Sequence, residues 1–91
     1  MSEILSFKED VIIQKLNEDT ILLDLQTEEY FSLDKVGSEI IELFQKGLNQ
    51  EEVIQELLMV YDTSEKRLDE DINNLINRLN DKNLLLKKDI K

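Results

Sequence analysis

The chain has no cysteine and no histidine among its 91 residues. Without cysteine there is no disulfide, no thiolate metal site and no cysteine nucleophile. Without histidine the commonest general base and the commonest metal ligand at neutral pH are gone. The lack of disulfide chemistry fits a reducing compartment. No stretch of eighteen apolar residues occurs, so no membrane-spanning helix is expected. The start, Met1-Ser2-Glu3, lacks the basic and then apolar pattern of a secretion signal. These absences together read as a soluble cytoplasmic protein.

Positive charge is scarce. Eleven basic residues stand against 21 acidic ones, for a formal net charge of −10. A polyanion needs a concentrated basic footprint, so nucleic acid and anionic membrane are not expected partners. The surplus suits a basic or neutral peptide, and plain solubility would explain it as well. Catalytic groupings are missing too: there is no glycine-rich phosphate loop and no serine with a base partner. Carboxylates cluster at Glu28/Glu29, Glu51/Glu52 and Asp69/Glu70/Asp71. Glu51/Glu52 is explained as negative charge at a helix start. A carboxylate-only metal site is the remaining alternative. The expectation is no enzyme, no cofactor and no metal.

What is present organises around residues 21–40. Ile21, Leu23 and Leu25 alternate with Asp24 as in a half-buried strand. Thr27-Glu28-Glu29 is a polar break short enough for a hairpin turn. Tyr30-Phe31-Ser32-Leu33 is a second short strand, with Phe31 and Leu33 on one face and Tyr30 and Ser32 on the other. Asp34 stands where a helix N-cap belongs. Upstream, Val11 to Leu16 is rich in β-branched residues and predicts a first strand, followed by turn residues Asn17 to Thr20. Before it, Ile4 and Phe7 are placed against the sheet edge.

Downstream lie three helices, predicted at about 35–46, 50–61 and 65–82. The first carries Val36, Ile40, Ile41, Leu43 and Phe44 on one stripe, with Gly37 near its start for close packing and Gly47 as its stop. The second has Asn49 and Glu52 as a capping box, Leu48 stapled to Val53, and an apolar side of Val53, Ile54, Leu57, Leu58 and Tyr61. The third opens at Thr63 or Ser64, runs through Leu68, Ile72, Leu75, Ile76 and Leu79, and closes at Asn83. Leu84-Leu85-Leu86 reads as a short strand or wing before the basic tail Lys87-Lys88-Asp89-Ile90-Lys91. The predicted class is α+β: one domain over 1–91, with a three-stranded antiparallel sheet over about 10–33 and then a three-helix, winged helix-turn-helix-like bundle. The third strand holds no charge and no proline, so its edge is either open for pairing or covered by the third helix or by Leu84 to Leu86.

Asp24, Thr27, Tyr30-Phe31-x-Leu33, Gly37 and Ile40 together resemble the PqqD-like family of peptide-recognition domains that serve ribosomally made, modified peptides. Two positions depart from that pattern: Glu28 stands at the turn where members usually have Gly, and Ile41 where many have Trp. The resemblance implies that the leader of a precursor peptide docks as an added strand in a groove between the third strand and the third helix. By position it implies that Tyr30, Phe31, Ser32 and Leu33 pair with the leader, and that Asp71, Leu75, Arg78 and Leu79 face it from the helix. Leu75 and Leu79 also fit ordinary core, and Asp71 and Arg78 an exposed charged pair. The implied role is a non-catalytic recognition protein of the discrete lasso-peptide type that hands the leader to a separate leader peptidase or other modifying enzyme, as a monomer or weak dimer. Two rival readings keep the same fold. One is a pyrroloquinoline quinone-type chaperone for a radical-SAM enzyme. The other is a winged helix-turn-helix DNA binder, against which Glu65, Asp69, Glu70, Asp71 and Asp81 on the third helix argue.

Overall fold

The computed structural model describes residues 5–85. Strands β1 (Val11–Leu16), β2 (Asp19–Asp24) and β3 (Glu29–Leu33) come first, then helices α1 (Lys35–Gln45), α2 (Gln50–Leu58) and α3 (Glu65–Asp81). The sheet is an antiparallel meander in the order β1-β2-β3. One face is covered by the helices, giving the α+β architecture expected from the sequence.

The buried side of β2 is the reverse of the one its pattern suggests. Thr20, Leu22 and Asp24 are buried, Ile21 and Leu23 are half-buried, and Leu25 is exposed. The register explains this. Leu22 lies opposite Phe31 and Thr20 opposite Leu33, so the apolar face of β3 sets which side of β2 meets the helices. Ile21 and Leu23 share the outer face with exposed Ile12, Leu16 and Tyr30. Asp24 tolerates burial because its carboxylate accepts from Gln26 N–H at 2.9 Å.

The helices bury most of the residues their spacing assigns, with Val36, Leu43, Leu58, Tyr61 and Ile76 half-buried against the core. Ile40, Ile41 and Phe44 of α1, Val53, Ile54 and Leu57 of α2, and Leu68, Ile72, Leu75 and Leu79 of α3 form one core with Leu22 and Leu33. Ile41 is 2% exposed in the middle of it. Each helix start is capped as its sequence suggests. Asp34 accepts from Gly37 N–H, Asn49 and Glu52 form the full capping box, and Ser64 accepts from Arg67 N–H. Gly47 at φ +97° and Asn83 at φ +61° supply the left-handed residues after α1 and α3.

One boundary differs from expectation. Helix α2 stops at Leu58, because Met59 and Val60 turn outward on bonds to Glu56 and Leu57 carbonyls and end the helical ladder. Tyr61 still reaches back, through N–H to Leu57 O at 2.8 Å. Phe7 forms an antiparallel bridge with Leu85, supported by Lys8 N–H to Leu84 O at 3.1 Å, and packs half-buried against the core. Leu84 and Leu85 therefore pair with the segment before β1, and not with β3. The expectations for Ile4, Leu86 and Lys87 to Lys91 lie outside the described residues.

Candidate functional site

Strand β3 is held at both ends by short-range bonds. At its start Glu28 N–H donates to Asp24 O at 2.7 Å and Glu29 N–H to Thr27 Oγ1 at 3.3 Å, closing the turn from β2. Glu28 takes φ +63°, a left-handed conformation in which a side chain is strained. At its end Gly37 N–H donates to Asp34 Oδ1 at 2.9 Å, and buried Ser38 Oγ donates to Leu33 O at 3.4 Å. The strand thus runs straight into α1 through a fixed elbow. A Cβ at Gly37 would fall 3.4 Å from both Leu33 and the Asp34 carboxylate, so the first turn of α1 sits in contact with the end of β3.

Among the named strands β3 pairs with β2 alone, so its other edge carries backbone N–H and C=O groups in search of partners. Five residues give an edge of about 17 Å at 3.3–3.4 Å per residue. Beside it lies a cleft of about 740 Å³. Ser32 and Leu33 form the sheet wall, Val36, Gly37 and Ile40 the floor from α1, and Asp71, Asn74, Leu75 and Arg78 the helix wall.

The residues singled out from the sequence divide cleanly. Ser32, Leu33, Asp71, Leu75 and Arg78 line this one cleft. Phe31 adjoins it, with its ring centroid 5.0 Å from the Arg78 guanidinium carbon. Tyr30 is 69% exposed on the opposite face of the sheet, and Leu79 is fully buried in the core. Sequence reasoning missed Asp19, Asp34, Val36, Gly37, Ile40 and Asn74 as lining residues. The helical spacing from Asp71 through Asn74 to Arg78, three and four residues apart, was the available signal for Asn74.

Charge is carried by a few side chains. Asp71 sits 3.9 Å from Arg67 Nε, a long and solvent-exposed pair. Among the described residues no three acidic groups converge closely enough to hold a metal ion. The ionisation shifts that stand out belong to scaffold groups. The hydrogen bond from Lys15 Nζ at 3.0 Å, joined by its charge, holds the Glu42 carboxyl below its ordinary value and fastens β1 to α1. The hydrogen bond from the Tyr61 phenol to Glu39 Oε1 at 2.7 Å, then burial, pushes that phenol above its ordinary value and joins the turn after α2 to α1. No described helix is long and apolar enough to cross a membrane.

Comparison with known proteins supplies an independent view. The family model for Coenzyme PQQ synthesis protein D (PqqD) matches residues 19–85. The structure of TbiB1 in complex with the TbiA(β) leader peptide superposes with a TM-score of 0.85 at 28% identity, over 93% of this chain and 99% of that one. Lasso peptide synthetase B1 complexed with its leader peptide superposes with a TM-score of 0.87 at 20% identity, over 93% and 100%, a likeness of fold. No curated protein sequence matches the chain significantly.

Proposed function

The chain belongs to the PqqD family, and from that premise we propose that it is a non-catalytic recognition protein for the leader segment of a ribosomally synthesised precursor peptide. The observation that carries the reading is the β3 edge, unpaired among the described residues, opening on a cleft walled by Asp71, Leu75 and Arg78 of α3. An extended peptide laid there becomes a fourth strand. Its backbone pairs with β3, and alternate side chains drop toward Leu33, Ile40 and Leu75. TbiB1, at 28% identity, is a leader-peptide complex, which supports the same use of the fold here. The precursor class we propose is a lasso peptide, with a separate leader peptidase in the cytoplasm as the acceptor. The fold shared with a lasso peptide synthetase B1 is compatible with that class.

The energetics suit a carrier. Ordering a disordered leader costs roughly 2–5 kcal/mol. Backbone pairing along five residues and two apolar anchors leave a dissociation constant between about 1 µM and tens of nanomolar, or roughly −8 to −10 kcal/mol. Such a complex forms at cellular concentrations and still releases its cargo.

The test is fluorescence anisotropy with a labelled synthetic leader of a lasso-peptide precursor, beside the same peptide with alternate backbone amides N-methylated. Methylation removes donors without touching the protein. We expect sub-micromolar binding that weakens at least about tenfold for one of the two alternating methylated sets, since a strand pairs through every second residue. Failure of every cognate leader to bind would sink the proposal. Leader cleavage or other turnover by the purified protein alone would contradict the non-catalytic role.

A further inference from the structure

The cleft is electrically sorted along its length. Arg78 stands over Phe31, which fixes one end. From Phe31 the strand runs on to Leu33 and then Asp34, and Leu33 lies opposite Thr20, so Asp19 and Asp34 are neighbours at the other end of the sheet wall. On the helix wall Asp71 precedes Arg78 by seven residues, about 10.5 Å along the axis at 1.5 Å per residue. Each wall therefore carries its carboxylates at the end away from Arg78. Asp34 is partly engaged by Gly37 N–H, and among the described residues Asp71 has the long contact to exposed Arg67, which leaves carboxylate oxygen to offer a ligand. The three aspartates do not converge as a metal site would require. They form a negative end, and Arg78 a positive one.

We propose that the cleft selects a charge-sorted peptide, with a basic side chain at the Asp19/Asp34/Asp71 end and an acidic side chain at the Arg78 end. This rests on the peptide-binding reading above and adds the chemical class of the ligand. A separation of about 10.5 Å along a strand rising about 3.3 Å per residue puts the two charges roughly three residues apart. The order then reports direction. Because β3 runs from the Arg78 end toward the aspartates, an antiparallel peptide meets them as basic-x-x-acidic, and a parallel one as acidic-x-x-basic. The wrong order places like charges together at both ends, which disfavours a slipped or reversed strand more than it strengthens the correct one. A strand edge alone offers little control of direction or register, so the charge axis supplies it.

The experiment uses an array of synthetic peptides built on the same lasso-precursor leader. A Lys and a Glu three residues apart are walked through every register in both orders, against the wild-type protein and the double variant Asp71→Arg/Arg78→Asp. Both positions are exposed on α3, and circular dichroism confirms that the variant folds. The expected result is at least one register in which one order binds about tenfold more tightly than its swap, with the preference inverted in the double variant. Equal binding of both orders in every register, while the parent leader still binds, overturns the charge axis and leaves the recognition role standing. If no peptide binds the wild-type protein, both fall together.

Discussion

The guanidinium carbon of Arg78 lies 5.0 Å from the centre of the Phe31 ring, joining the last turn of α3 to the middle of β3 across the mouth of the cleft. The contact bridges the two walls. It also holds the flat, cationic side chain where a bound peptide would pass.

A double-mutant cycle of Arg78→Met and Phe31→Leu should return a coupling of about 0.5–1 kcal/mol, the range for a partly exposed cation on an aromatic face. Urea denaturation of the four proteins measures it. Additive single effects would mean that the two side chains are neighbours without an energetic bond.

Replacing Glu28 with glycine should stabilise the protein. The left-handed conformation costs a side-chain-bearing residue about 1–2 kcal/mol, and glycine loses part of that gain through the entropy of its unfolded chain. The expected net is about 1 kcal/mol, seen as a rise in Tm of about 4–8 °C in a domain of this size. An unchanged or lower Tm would show that the turn holds no strain.

Leu79 and Leu75 separate stability from binding. Leu79 is fully buried, so Leu79→Ala should cost about 2–5 kcal/mol, a large share of the total stability of a small domain. Leader affinity per folded molecule should stay near the wild-type value. Leu75 lines the cleft, so Leu75→Ala should weaken leader binding as well. Thermal melts paired with anisotropy titrations distinguish the two.

Tyr61 should titrate above its ordinary value of 10.0, because its phenol donates to Glu39 and burial opposes the phenolate. With a folded value above the unfolded one, this contribution to stability is complete below about pH 10 and is lost as pH rises through the folded value. The chain has two tyrosines, so a Tyr30→Phe background isolates Tyr61 for phenolate absorbance. Glu39→Gln should bring the midpoint back toward 10.0. A midpoint that ignores Glu39 would exclude the bond in solution.

Much of this fold was legible because local chemistry and global packing agree at the helix ends. Asp34, Asn49 and Ser64 cap as their side chains dictate, and Gly47 and Asn83 stop their helices in the left-handed region. What alternation could not decide was the inward side of β2. Apolar residues stand on both of its faces, and only the cross-strand partners Phe31 and Leu33 choose between them. On the helix side of the cleft, the family resemblance marked Asp71, Leu75 and Arg78, and the three-and-four spacing of α3 held the unused signal for Asn74. The contribution of Val36, Gly37 and Ile40 was not legible, because it depends on how α1 leaves the elbow after Leu33. Likewise, Leu79 and Leu75 are alike in sequence, and only the folded arrangement brings Leu75 to the cleft and keeps Leu79 wholly in the core.

The bridge between Phe7 and Leu85 means that the described chain enters and leaves the domain at one place, with two backbones side by side about 5 Å apart. A unit with such a doorway can be spliced into a surface loop of another protein without being stretched.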